Sequence, residues 1–169
     1  MREKWIVEAK KGDFNGLSAK LKVSPLAVRC LMNRGVESEQ EMRSFLYGTL
    51  DDLHDPFTMK GMNEAVQEIV QAREQGRKVA IASDFDCDGI FSAYILWKGF
   101  QRIGLDSEIF TPDRVKEGYG LNRRIVDEAL AGGRDFLVTC DNGIAANEEV
   151  DYAKKLGMTV IVTDHHEVQ

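Results

Sequence analysis

Lys78-Val-Ala-Ile-Ala-Ser-Asp84-Phe-Asp86-Cys-Asp88-Gly89 decides the fold of this 169-residue chain. Val79-Ala-Ile-Ala82 is a short apolar run of the kind that forms a strand buried on both faces of a parallel sheet. Three carboxylates at alternate positions follow it. Beyond them Ile90 to Ile103 is apolar nearly all round and ends at Gly104, as a buried helix does. The same grammar recurs downstream. Glu108-Ile-Phe-Thr111, Phe136-Leu-Val-Thr139 and Val160-Ile-Val-Thr163 are strand-like, while Arg123 to Ala131, after Asn122, and Asn147 to Leu156, before Gly157, are helical. This β-α-β-α-β-α-β order predicts an α/β fold with a doubly wound parallel sheet and flanking helices.

Upstream, the chain predicts a small N-terminal helical region over residues 1–77. Ser24-Pro25 places a cap before proline at a first helical position, with a helix from Leu26 to Asn33 ending at Gly35. Ser38-Glu39-Gln40-Glu41 is a capping box, and Met42, Phe45 and Leu46 follow at helical spacing. Asn63 is expected to cap a further helix that Gly76 closes, with Val66, Ile69 and Val70 on its apolar side. In the helix after Gly89, Phe91, Tyr94, Trp97 and Phe100 are expected in the core.

The composition, 43% apolar and 30% charged, is that of a folded globular protein rather than a disordered or membrane-embedded one. No apolar stretch has signal-peptide or membrane-span length, so a cytoplasmic location is expected. Cys30, Cys87 and Cys140 are too scattered for a zinc or redox pair and are expected to be reduced and mostly buried. The net charge of −6 is unevenly spread. Residues 1–80 hold 13 Lys+Arg against 12 Asp+Glu, whereas 81–169 hold 9 against 16.

That acid excess coincides with strand ends. Ser83-Asp84, Cys140-Asp141 and Thr163-Asp164 each terminate an apolar run, and strand carboxyl ends in such sheets open onto one crevice. Asp84, Asp86, Asp88, Asp141, Asp164, His165 and His166 therefore converge. So many carboxylates repel one another unless cations neutralise them. Carboxylate with imidazole and no thiolate favours manganese or magnesium. Two such ions suit metal-assisted phosphoester hydrolysis. Asp-x-Asp-x-Asp-Gly also opens a calcium-binding EF-hand loop, but its twelfth position here is Ile95 and a strand precedes it. A haloacid-dehalogenase-type phosphatase would want Thr or Val two residues after its second Asp, which neither Asp86 nor Asp88 has. Arg123-Arg124 lies in a helix's first turn, where positive charge opposes the dipole, so a bound phosphate is expected there.

Asp84-Phe-Asp86-Cys-Asp88-Gly89, Thr139-Cys-Asp141-Asn-Gly143-Ile144 and Thr163-Asp164-His165-His166 resemble, in order, the signature motifs of the DHH phosphoesterases. Thr111-Pro-Asp-Arg114-Val-Lys-Glu117-Gly-Tyr119-Gly-Leu-Asn122 and the upstream run Asn33-Arg-Gly35, Phe45-Leu46, Leu53-His-Asp55-Pro56 are similar to segments of the family's single-stranded-DNA-specific exonucleases. The resemblance implies a DHH-type domain over 78–169, truncated at its C-terminus. It implies that Asp86, Asp88 and His165 each hold a metal, that Asp141 bridges two ions, and that His166 contacts the scissile phosphate. Asp164 and Asp84 would steady the ligands. From residue type and position, Arg114, Tyr119, Arg123 and Arg124 are expected to meet the substrate, with Tyr119 stacking on a base. The implied activity is 5′-to-3′ hydrolysis of single-stranded DNA, in repair and recombination, with two Mn2+ or Mg2+ ions. Shorter relatives act on oligoribonucleotides or cyclic dinucleotides, and others are non-catalytic replication scaffolds that have lost motif carboxylates. Two departures stand out. Ala82 occupies a position where related enzymes can carry a histidine ligand. The family's further aspartate ligand and second domain lie beyond Gln169, so the chain reads as a fragment lacking a C-terminal domain of the same protein, and poorly active alone.

Overall fold

The computed structural model describes residues 4–6, 8 and 10–167. Two compact units divide the chain, Met1–Thr58 and Met59–Gln169. In the first, α1 (Phe14–Leu21), α2 (Pro25–Asn33) and α3 (Glu39–Tyr47) surround Leu21, Val28, Leu31, Met32 and Met42. Ser24 caps α2 by accepting from the Ala27 amide, and Ser38 with Glu41 forms the expected capping box on α3. The eight-residue α1 has no counterpart among the sequence expectations; it is started by Asp13, whose carboxylate accepts from the Gly16 amide. Such a short helix carries too few turns for a clear apolar period, and tertiary contacts hold it.

In the second unit, α4 (Met62–Glu74) is followed by β1 (Val79–Ala82), α5 (Cys87–Arg102), β2 (Ser107–Phe110), α6 (Arg123–Ala131), β3 (Phe136–Cys140), α7 (Asn147–Lys155) and β4 (Thr159–Thr163). Gly61, not Asn63, occupies the cap position of α4; its φ of 78° is a conformation glycine adopts freely, and no side chain caps the helix. Although α4 precedes Lys78, its Ala72 and Ile69 pack in the sheet core, which is why this unit begins at Met59. Among the described residues no helix is long and apolar enough to cross a membrane.

The sheet is parallel, in the order β2-β1-β3-β4. Alternation along the strands sorts the core into two layers. Val79, Ile81, Phe136 and Val138 face α4 and α5, whereas Ala80, Ala82 and Leu137 face α6 and α7. This is the doubly wound arrangement that the sequence predicts. The chain leaves β1 for β2 on one side and then crosses back over β1 to β3. The switch point therefore lies between the carboxyl ends of β1 and β3.

The aromatic series of α5 does not lie wholly in the core. Phe100 is buried at 4% exposure and Trp97 packs beside it, but Phe91 is 66% exposed and Tyr94 is open as well. A single helix face rests on the sheet, so the Phe91 and Tyr94 side of α5 is left over. Cys140 is buried as expected, whereas Cys30 and Cys87 are exposed. We expect Phe100→Ala to cost about 3–5 kcal/mol and Phe91→Ala to stay within about 0.5 kcal/mol, as read by urea denaturation. Equal losses would place both rings in the core.

Candidate metal centre

At the end of β1 the backbone enters Asp84, whose buried carboxylate accepts from the Phe85 amide at 2.8 Å. Burial, then the neighbouring Asp86 and Asp141 charges, push its pKa above the usual carboxylate range, against that hydrogen bond. Asp86 caps α5 by accepting from the Gly89 amide at 3.1 Å. The positive end of this 16-residue helix favours carboxylates in its first turn, including Asp88. Gly89 is needed there, because an added Cβ would lie 2.5 Å from the Asp84 carbonyl oxygen.

The β3 end is equally constrained. Asp141 has a φ of 60°, a left-handed conformation that aspartate tolerates better than most residues, and its amide donates to the Thr163 carbonyl at 3.1 Å. From β4, His165 Nε2 meets Asp141 Oδ1 at 2.8 Å. Asp164 is buried against the Ile144 amide at 2.9 Å and binds His166 through both the backbone amide, at 3.1 Å, and ring Nδ1, at 2.7 Å. Burial alone would raise the Asp164 pKa, but these hydrogen bonds outweigh it and hold the carboxyl below its ordinary range. The Asp164 hydrogen bond, with that carboxylate's charge, raises the pKa of His166.

Asp141, His165 and His166 offer donor atoms within 4.8 Å of one another, the one such metal-capable group among the described residues. His166, expected at the phosphate, thus stands among the donors as well. Two clefts meet here. One, of about 640 Å³, is lined by Asp84, Asp86, Asp141, Asp164 and His166; the other is lined by Asp88, Asp141, Asp164 and His165. Oxygen and imidazole donors without thiolate fit manganese or magnesium in chemistry.

The segment 111–122 borders the first cleft. Tyr119 stacks on Phe85 at 4.3 Å between ring centroids, and the Arg114 guanidinium lies 5.2 Å over the same ring. Phe85, absent from the sequence-derived candidates, is legible in the motif only as the residue between two aspartates. Arg124 is committed within the chain rather than open to a phosphate. Its donors go to Glu117 at 2.6 and 2.8 Å, Glu128 at 2.7 Å and the Thr111 carbonyl at 3.0 Å. Glutamates thus balance the positive charge at that helix end, and the Arg124 hydrogen bond holds Glu117 down at about 2. Arg123 leans over the Tyr152 ring, with Glu148 at 3.9 Å, and remains largely exposed.

Residues 78–169 match the sequence pattern of the DHH family, N-terminal domain. The chain is 38% identical over 165 residues to the single-stranded-DNA-specific exonuclease RecJ of Bacillus subtilis, covering 97% of this chain and 21% of that protein. It is also similar to the crystal structure of exonuclease RecJ bound to manganese, with TM-score 0.61 and 36% identity over 66% of this chain and 29% of that one. For RecJ from Thermus thermophilus in complex with Mn2+, the TM-score is 0.63 and the identity 28%, over 92% of this chain and 21% of that one. The chain therefore spans about a fifth of the length of the curated relative from Bacillus.

In the metal-free chain, NMR titration should show His166 losing its proton above 6.5, its ordinary value, and Asp164→Asn should return it toward that value. The linked stability follows in sign. The contribution of His166 is complete below pH 6.5 and is lost as pH rises through its raised pKa. That of Asp164 is complete above 3.8 and is lost as pH falls through its lowered pKa. Unchanged titration of His166 in Asp164→Asn would dismiss the pair.

Proposed function

The chain belongs to the DHH family, and from that premise we propose that it forms the catalytic N-terminal part of a metal-dependent exonuclease that hydrolyses single-stranded DNA from the 5′ end. The carrying observation is the place of Asp141 on the wall common to two clefts, with Asp86 and His166 lining one and Asp88 and His165 the other; Asp164 borders both as well, but its carboxylate is engaged by Ile144 and His166. A carboxylate so placed suits the bridging ligand of a pair of cations. The similarity to single-stranded-DNA-specific exonucleases runs through the N-terminal unit as well as the DHH region, which favours long DNA over the dinucleotide substrates of shorter relatives. The retained Asp84, Asp86, Asp88 and Asp141 argue against a non-catalytic scaffold.

In this reading Asp86, Asp88, Asp141 and His165 hold two divalent cations, Mn2+ or Mg2+. Such ions supply charge neutralisation at a phosphodiester and a more acidic attacking water. The protein's own groups do the rest. His166, whose ring Nδ1 is held by Asp164, would offer its other ring nitrogen to a phosphate oxygen. Asp84 stays buried behind Asp86, and Arg114 and Tyr119 receive the strand, Tyr119 offering its ring to a base. Arg123 remains a candidate phosphate contact; Arg124 acts through the segment that it ties down. A DNA-repair enzyme of this kind would work in the cytoplasm, and the rest of its substrate groove would come from polypeptide outside residues 1–169.

The test is degradation of 5′-labelled single-stranded DNA, duplex DNA and dinucleotides, with manganese, by the gene product that carries this chain. Asp141→Ala should abolish hydrolysis while the fold persists, because it also relieves carboxylate repulsion. Asp84→Asn should reduce it about 10–100-fold. The 169-residue chain alone should bind manganese weakly and turn over poorly. Near-normal activity of Asp141→Ala would refute the centre, and preference for dinucleotides would move the substrate class.

A further inference from the structure

The β1–β3 ladder runs in register from Val79 opposite Phe136 to Ala82 opposite Thr139. Past that point the two backbones turn away from each other. The Ser83 amide donates outward to the β2 residue Phe110 at 3.0 Å, and the Asp141 amide donates outward to the β4 residue Thr163 at 3.1 Å. Yet this is where Asp84, Asp86 and Asp141 must keep a fixed separation. One side chain spans the gap. Asn142, 6% exposed, donates its Nδ2 to the Ala82 carbonyl at 3.2 Å and to the Cys140 carbonyl at 2.9 Å.

We propose that Asn142 is a positioning residue for the metal centre: its carboxamide bridges the ends of β1 and β3 and sets the spacing between the Asp84–Asp86 turn and Asp141. The inference rests on the reading of these carboxylates as metal ligands and their neighbours. Two carbonyl acceptors fix which end of the amide is nitrogen, since an oxygen there would face two other oxygens. Its own Oδ1 is buried without a hydrogen-bond partner among the described residues. An apolar side chain would fill the space without that unsatisfied acceptor, so the donor is what the position uses. Asn142 also sits between left-handed Asp141 and Gly143, whose φ is 112°. Gly143 is confined by Thr139, whose Oγ1 would lie 2.7 Å from an added Cβ. The carboxamide thus anchors a turn that has little room to adjust.

Mn(II) titration of the purified gene product that carries this chain, followed by the electron paramagnetic resonance signal of the free ion, tests this. Asn142→Ala should raise the dissociation constant about tenfold, as loss of a ligand-orienting partner does, with the circular dichroism spectrum of the sheet retained. Asn142→Asp gives the sharper contrast. It adds a negative charge beside the cations, so it should tighten binding if charge governs the site and weaken binding if spacing governs it; we expect weakening. Asn142→Ser, which keeps one donor, should fall between wild type and alanine, and it serves where the alanine variant does not fold. In the wild type, the Asn142 side-chain NH2 protons should exchange slowly and shift on addition of Mg2+. A purely structural residue would lower the melting temperature and leave Mn(II) affinity untouched. Wild-type affinity in the variants, or fast exchange of the NH2 group, overturns the assignment of Asn142 alone. Absence of Mn(II) binding by the wild type overturns the metal centre itself, and this inference with it.

Discussion

Carboxylates at the ends of parallel strands repel one another, and the strands themselves force them together. Parallel pairing makes β1, β3 and β4 end on the same edge of the sheet, so Asp84, Asp141 and Asp164 reach the crevice whatever the loops do. Three of the carboxylates around the crevice are then held by backbone amides. Asp84 accepts from the Phe85 amide, Asp86 from the Gly89 amide at the positive end of α5, and Asp164 from the Ile144 and His166 amides. Backbone donors offset part of the desolvation, but they do not neutralise the cluster. Asp141, His165 and His166 present their donor atoms within 4.8 Å of one another beside these carboxylates, and none of the three is a thiolate.

The same edge supports a second layer that is organised by a different interaction. Arg124 ties Thr111, Glu117 and Glu128 to α6, and Glu117 in turn receives the Asp113 amide at 2.7 Å. Arg114 and Tyr119 are presented from this braced segment onto Phe85, which lies in sequence between Asp84 and Asp86. A group that engaged Tyr119 would therefore press on the turn carrying the carboxylates.

Much of this architecture is local in origin. The capping box of α3, the Asn122 cap of α6 and the four short apolar runs specify their elements through neighbours within a few residues, and the alternating aspartates after β1 mark the site with equal economy. Where the local signal is thin, the structure departs from the expectation. Asn63 reads as a cap, but Gly61 starts α4, and the apolar helix after Gly89 does not show in its sequence which of its faces meets the sheet.

Apolar period and residue type are written in the chain, and they suffice for the order of strands and helices, the doubly wound class and the set Asp84, Asp86, Asp88, Asp141, Asp164, His165 and His166. The roles of Arg124, Phe85 and Asn142 emerge only when distant segments meet. Arg124 reads as a phosphate ligand until the segment carrying Thr111 and Glu117 folds onto α6. Asn142 is only an unremarked member of its motif until β1, sixty residues upstream, arrives with a carbonyl to receive. Hydrogen bonds between distant segments depend on distance and direction in space, and no periodicity in the chain encodes either.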